Sequence, residues 1–343
     1  MSKLRIGFVG VGNMGQAAHL RNYVTLPDCE GVALAEIRPR LAQEVARRYG
    51  VPKVYSNHTE MLELEKLDGI VAIQQFQNHI TLIPDLLKAG VPVLTEKPLA
   101  DTLENGEALL HAARGAAAPL YLAYHKRSDP ATAYTKATIE RWKATGELGK
   151  MRYVRISMPP GDWAREGFAS NVHTDESYDS IQVKWDPYMV FVNYYIHQVN
   201  LMRFLLGEDY EVVFADPGSI TLATRSESGV SGIIEMASFE SSRDWQESAL
   251  VTFQKGWIRL DLPAPLALDE PGRVTIFEDP GQPVEPTLLS PSLPHFHAMR
   301  SQAQSFLKAI RGESHPLCGV EDAYKDLQTA RSYVDLFQQR TAP

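Results

Sequence analysis

The chain is poor in cysteine, has no basic excess and contains no long apolar run, and each shortage removes a class of protein. Its two cysteines, Cys29 and Cys318, lie in opposite halves of 343 residues. That spacing argues against a disulfide framework and against a zinc site, and His315 near Cys318 does not change it. Lys and Arg number 34 against 42 Asp and Glu, a formal charge of −8. No basic patch is present to neutralise phosphates, so nucleic acid is not an expected partner. No apolar run is long enough to span a bilayer, and the N-terminus enters a strand without a signal-type apolar core. A cytoplasmic setting without membrane attachment is the expectation. Internal repeats and low-complexity tracts are missing too. Hydrophobic residues at 44% and charged residues at 22% are ordinary for a globular chain, and the length suffices for two domains.

What the chain does have is alternation. From residue 3 to about 122, apolar runs of strand length alternate with helix-like stretches, the pattern of βα units in a parallel sheet. Strands are predicted over 5–9, 32–37, 69–73, 92–95 and 119–123, with helices over 14–24, 40–49, 79–89 and 103–114. Gly50 and Gly90 each follow a helical run, where a left-handed C-terminal cap favours glycine. Such a sheet is doubly wound, with its ligand crevice at the switch point. After Tyr124 the pattern changes. A helix over 130–145, a turn at Gly146-Glu147-Leu148-Gly149 and a strand over 152–158 precede a polar stretch, 159–187, too long for an ordinary connector. An apolar helix over 189–206 is followed by alternating segments at 211–215, 219–224, 232–238, 249–253 and 257–262, which suggest one largely antiparallel sheet. Helices near 297–310 and 320–339 close the chain. Pro and Gly clusters at 263–272 and 280–294 read as surface loops, and the acidic stretch Glu60 to Glu65 reads as a solvated helix face.

Two motifs carry chemistry. Gly10-Val11-Gly12-Asn13-Met14-Gly15 follows a strand, opens a helix and is answered by Glu36 at the end of the next strand. The first glycine permits the tight turn, the second lets backbone approach a pyrophosphate, and the third brings helix and strand together. Glu36 would accept hydrogen bonds from the adenosine ribose and repel a 2′-phosphate, which favours NAD. Arg38, two residues on, keeps NADP open. The second motif, Glu96-Lys97-Pro98, ends the run Val91-Pro92-Val93-Leu94 at the carboxyl edge of a parallel strand, where open α/β sheets bind ligands. Lys97 is therefore placed to reach substrate.

With these motifs, Asn78-His79 after the third strand, Arg127-Ser128-Asp129-Pro130, and a helix bearing His197, the chain resembles the glucose-fructose oxidoreductase, inositol dehydrogenase and MocA family over nearly its full length. The resemblance implies an α/β fold with two domains. Residues 1–123 would form an N-terminal Rossmann domain with a doubly wound parallel sheet. Residues 124–343 would form a C-terminal α/β domain for substrate binding and oligomerisation, with a large, mostly antiparallel open sheet. It also implies hydride transfer at a hydroxyl-bearing carbon of a sugar, glycoside, inositol or polyol, with NAD as cofactor and no metal. The exposed apolar sheet face points to a homo-oligomer, dimer or tetramer.

Oxidising an alcohol needs a hydride acceptor, a base for the hydroxyl proton and a positive charge or donor for the developing alkoxide. Through the resemblance, His197 matches the base, Lys97 the polarising group, and His79 a position near the nicotinamide. Where the family commonly has aspartate stands Asn193, four residues before His197 and on the same face of a continuous helix. Asn193 can hydrogen-bond substrate but carries no charge, so His197 should be a weaker base than in relatives. Asn200 likewise replaces a frequent acid, and Tyr195 stands where relatives often carry glycine. Lys126 and Arg127 could meet substrate or cofactor, or form salt bridges. The long loop offers Asp162, Trp163, Arg165, His173, Asp175, Glu176 and Lys184, of which Trp163 best suits a sugar face. His295 and His297 lack an acidic partner at ligand spacing and read as polar loop residues. Two alternatives to a simple dehydrogenase remain: an enzyme that recycles tightly bound NAD in a net epimerisation or elimination, and a non-catalytic NAD-sensing protein.

Overall fold

A computed structural model describes residues 2–178, 185–268 and 270–341. The chain divides into two compact units. One comprises Met1–His125, Glu166–Met189 and Met299–Leu327; the other comprises Lys126–Arg165, Val190–Ala298 and Gln328–Pro343. A linear division at residue 123 does not include the two later segments that join the first unit.

The first unit is built on β1 (Leu4–Val9), α1 (Arg21–Tyr23), β2 (Cys29–Ala35), α2 (Pro39–Tyr49), β3 (Lys53–Tyr55), α3 (His58–Leu64), β4 (Gly69–Ala72), α4 (His79–Leu87), β5 (Val93–Thr95), α5 (Leu103–Arg114) and β6 (Leu120–Leu122). Its strands lie in the order β6-β5-β4-β1-β2-β3 and run parallel. A short strand, Cys318–Gly319, adds antiparallel to β6 at the edge. The order reverses between β1 and β4, which makes that pair the switch point. Strands covered on both faces require continuous apolar runs, and Ile6, Phe8, Val71 and Leu94 are all fully buried. Helix α2 buries Leu41, Ala42, Val45 and Ala46 on one stripe and ends at Gly50, whose φ of 71° supplies the left-handed cap. The first predicted helix starts as a π-helical turn, Gly15–Leu20, before the short α1.

The second unit contains α6 (Pro130–Thr145), β7 (Met151–Ser157), α7 (Pro187–Tyr194), shared with the first unit, α8 (Ile196–Leu206) and strands β8 (Tyr210–Ala215), β9 (Thr221–Ser226), β10 (Ser231–Glu235), β11 (Glu247–Phe253), β12 (Gly256–Leu262), β13 (Arg273–Glu278) and β14 (Thr287–Leu289). Their order is β14-β13-β12-β11-β7-β10-β9-β8, antiparallel except for β7 beside β10. Period-two burial is clear in β12, where Gly256, Ile258, Leu260 and Leu262 point to the core. Helix α6 packs on β12, and fully buried Trp142 meets Phe253 edge-on at 5.0 Å. The opposite face holds half-buried Tyr153, Leu250 and Trp257, with Trp257 stacked on Phe277 at 5.9 Å.

Three expectations change. The helix read over 189–206 breaks at Tyr195, so α7 and α8 are separate elements. β13 and β14 follow or interrupt Pro- and Gly-rich stretches, and β14 lies within one read as loop; β3, three residues long, is too short for period-two alternation to show. Glu65 is no solvated helix residue: its side chain is 2% exposed and takes Lys53 Nζ and Tyr55 Oη at 2.6 Å each and Arg5 at 3.3 Å.

Candidate cofactor and active site

The turn after β1 has the steric profile of a dinucleotide cradle. Gly10 has φ 87°, and a Cβ there would lie 2.3 Å from the Ile73 carbonyl oxygen. A Cβ on Gly15 would stand 2.7 Å from the Gly10 oxygen, so helix and turn touch. At Gly12 the added atom would meet Arg38 at 3.3 Å and no backbone, which leaves the main chain open to close approach. Each glycine thus has a separate reason, and the cradle fits a pyrophosphate. Met14 packs against the core beneath, and Asn13 turns its carbonyl to the Asn171 amide at 3.1 Å.

Glu36 follows β2 as expected, and it is crowded. Oε2 accepts the Val11 N–H at 3.0 Å and Arg38 Nη2 at 3.1 Å; Oε1 accepts Arg38 N at 3.2 Å and Arg38 Nε at 2.8 Å. Four donors fill the four lone-pair directions of a carboxylate. A ribose hydroxyl can use Glu36 only where Arg38 yields.

Glu96 and Lys97 follow β5. Glu96 is buried, with Oε1 at 2.6 Å from His19 Nε2 and Oε2 accepting the Lys97 N–H at 3.3 Å. Burial would raise its pKa, yet the His19 contact and the Lys97 charge hold it below the usual carboxylate value. The Lys97–Pro98 peptide is cis, and Lys97 itself is half-buried. His79 is fully buried, its Nδ1 3.1 Å from the Leu99 oxygen and its Nε2 3.3 Å from the Thr95 hydroxyl. Burial lowers its pKa. His79 therefore braces the turn that carries Lys97 rather than facing solvent or capping α4, whose N-cap is Asn78.

In the second unit Asn193 is exposed near the end of α7, and His197 is half-buried at the start of α8. Tyr195 between them keeps right-handed helical dihedrals, donates its N–H to the Phe191 carbonyl at 2.8 Å and accepts the Val199 N–H at 3.2 Å. Lys126 and Arg127 have partners inside this unit. Lys126 pairs with Glu247 and lies 5.6 Å from the Trp245 ring, while Gln198 Nε2 donates to Glu247 at 2.8 Å. Arg127 donates to Asn200 at 2.7 Å and covers Phe204 at 5.0 Å. Trp163 is 37% exposed on a loop where Gly161 lies so close to the Asp244 carbonyl that a Cβ would stand 2.4 Å away. Arg165 pairs with Glu270 at 3.1 Å. His173, Asp175 and Glu176 belong to the first unit, and Lys184 lies outside the described residues.

Sequence reasoning missed His19, which no motif marks, and Glu247. The latter was legible, because Glu247 shares the strand phase of buried Ala249, Val251 and Phe253. Among the described residues no His, Cys, Asp and Glu group could hold a metal, and no helix is long and apolar enough to cross a membrane.

Residues 4–124 match the model of the Gfo/Idh/MocA family, an oxidoreductase family with an NAD-binding Rossmann fold. A myo-inositol 2-dehydrogenase of Thermotoga maritima is 26% identical over 239 residues, 68% of this chain and 63% of that protein. A scyllo-inositol 2-dehydrogenase (NAD(+)) of Bacillus subtilis is 24% identical over 213 residues, 60% of this chain and 55% of that protein. The matched stretches thus span less than two thirds of these relatives. Levoglucosan dehydrogenase in complex with NADH superposes on 99% of this chain and 98% of its own, with a TM-score of 0.75 at 18% identity. An oxidoreductase of Agrobacterium radiobacter, in complex with NAD+, L-tartaric acid and magnesium, covers 99% and 97%, with a TM-score of 0.73 at 14% identity. These two likenesses establish the fold.

Proposed function

Because residues 4–124 match the Gfo/Idh/MocA oxidoreductase family, we propose that the chain is a dehydrogenase acting on a hydroxyl-bearing carbon of a sugar, glycoside, inositol or related polyol. The observation that carries this reading is Lys97, half-buried directly after β5 on a turn braced by His79 and beside a Glu96 already committed to His19. At the carboxyl edge of a parallel strand, where open α/β sheets bind their ligands, the ammonium group of Lys97 would meet a substrate oxygen.

When bound, NAD supplies the hydride acceptor. The Gly10-Gly12-Gly15 turn receives its pyrophosphate, with Asn13, Met14, Glu36, Arg38 and Asn78 around the rest. Lys97 holds the reacting hydroxyl and stabilises negative charge on its oxygen as the proton leaves. His197 takes that proton as general base. Asn193 orients substrate through a neutral amide and itself brings no carboxylate to the site. Trp163 offers an aromatic face to the apolar side of a sugar ring. Arg127 acts indirectly, by fixing α8 through Asn200. The half-open sheet of the second unit serves a homo-oligomer, because Trp257, Phe277, Leu250 and Tyr153 leave an apolar patch on its outer face.

The test is reduced-cofactor formation by purified protein with NAD or NADP across sugars, glycosides, inositols and polyols, with Lys97→Ala alongside. Turnover on a panel member that falls by two orders of magnitude or more in the variant is expected. Turnover that survives in Lys97→Ala would remove Lys97 from the mechanism. Silence across the panel with NAD retained through purification would favour the recycling enzyme or the sensor.

A further inference from the structure

A segment of the long loop, 171–178, runs past the carboxyl ends of β1, β2 and β4 in the first unit. It is anchored at three points. Asn171 donates to Asn13, and Val172 exchanges hydrogen bonds with the Gln16 side chain at 2.8 and 3.1 Å, both at the turn after β1. Glu176 then reaches α2, accepting the Arg40 N–H on Oε1 at 2.9 Å and the Leu41 N–H on Oε2 at 2.8 Å. Finally, Tyr178 lies 4.8 Å under the Arg38 guanidinium and accepts from Gln75 at 3.4 Å, beyond β4.

Arg38 is the N-cap of α2 and makes no side-chain cap bond, and Pro39 follows it without an N–H. Glu176, 136 residues away in sequence, supplies the missing cap. Desolvation works to raise its pKa, yet the two N–H groups, the Thr174 hydroxyl and the Arg40 charge hold it below the usual carboxylate value. It is therefore an anion seated on the positive end of a helix dipole.

In dinucleotide folds, an acid at the end of the second strand reads the ribose, and a nearby arginine admits the 2′-phosphate of NADP. Here the cations that could do so are taken. Arg38 is held by Glu36 through both oxygens and roofed by Tyr178, and Arg40 pairs with Asp175 and stands 3.8 Å from Glu176. The free N–H groups of α2, an alternative phosphate seat, hold Glu176. Three carboxylates thus face two guanidinium groups.

Resting on the dinucleotide-dependent reading above, we propose that Glu176 is a cofactor-specificity residue: its carboxylate occupies the helix end that a 2′-phosphate would need and so excludes NADP while leaving NAD unaffected. Glu36 sets the same preference locally; Glu176 sets it from a distant loop.

The experiment measures equilibrium dissociation constants of NAD and NADP by calorimetry on full-length, nucleotide-stripped wild type, Glu176→Gln, Glu176→Ala and Asp175→Asn. In both Glu176 variants the NADP constant should fall at least tenfold while the NAD constant changes less than twofold. Asp175→Asn, at a side chain 80% exposed, should change neither by more than twofold. Wild-type discrimination should also weaken as salt is raised. Where Glu176→Ala fails to fold, Glu176→Gln decides, since its amide oxygen keeps one N–H and loses the charge. NAD and NADP constants that shift together, or an unchanged NADP constant, would overturn the proposal while leaving the dehydrogenase reading intact. If neither nucleotide binds wild type at millimolar concentration, both fall.

Discussion

Asp129 is a buried carboxylate whose titration opposes folding, and the substitution Asp129→Asn isolates that effect. Its side chain N-caps α6 by accepting the Ala131 N–H at 2.8 Å on Oδ1, and its Oδ2 accepts the Gly272 N–H at 3.3 Å. The residue is 1% exposed. Burial pushes its pKa from 3.8 up to about 6, against the pull of those N–H groups and of the Lys126 charge. Between those two values the folded chain holds a proton that the unfolded chain has released. Stability from this group is thus fullest below pH 3.8 and declines as pH rises toward 6. A shift of roughly two units corresponds to about 3 kcal/mol at ~1.4 kcal/mol per unit. Asparagine keeps one acceptor for Ala131, loses the Gly272 bond at a pH-independent cost of about 1 kcal/mol, and has nothing to titrate. Urea unfolding of wild type and Asp129→Asn at half-unit steps from about pH 3.5 to 7 should show the variant gaining on wild type by up to about 3 kcal/mol, with most of the change between about pH 4 and 6. The other carboxylates are common to both proteins and cancel in the difference. A stability difference that stays constant across that range would refute the argument.

The remaining predictions concern the site and the assembly. Asn193→Asp should raise the pKa of His197 and move the rising limb of the kcat/KM profile to higher pH, because an anion stabilises the imidazolium. An unchanged profile would discard that electrostatic argument. The protein should have a solution mass of two or four chains by light scattering, and Trp257→Glu, on the outer sheet face, should lower it. A wild-type mass of 38.3 kDa, that of one chain, would defeat the oligomer proposal.

Much of the first unit was legible because its signals are local. Parallel strands buried on both faces must be continuously apolar, as Gly69–Ala72 is, and the chain reports this without reference to anything distant. Gly10 and Gly15 of the first turn are required by backbone atoms a few residues away or across one strand, and Gly12 leaves the main chain open, so the motif alone located them. The second sheet was partly legible: β11 and β12 alternate cleanly, whereas β14 is three residues long and exposed at every position, too short to show a period. The apolar character of 189–206 hid the break at Tyr195, since composition does not record where a helix ends without Gly or Pro. The surroundings of His79 were hidden for a similar reason. Its position at a helix start was visible, but the Leu99 carbonyl and Thr95 hydroxyl that enclose it come from the next strand and turn.

The sequence by itself determined the class of both sheets, the nucleotide cradle and the seat of Lys97, because periodicity, glycine sterics and strand-end position are properties of neighbouring residues. Only the tertiary structure decided which charges are available. Glu96 is committed to His19, Glu36 to Arg38, Lys126 to Glu247, and the N-terminus of α2 to Glu176, pairs separated by 77, 2, 121 and 136 residues. A side chain's charge is written in its name, but its partner is set by desolvation and distance, and three of these four pairings arise only when segments remote in the chain are brought together.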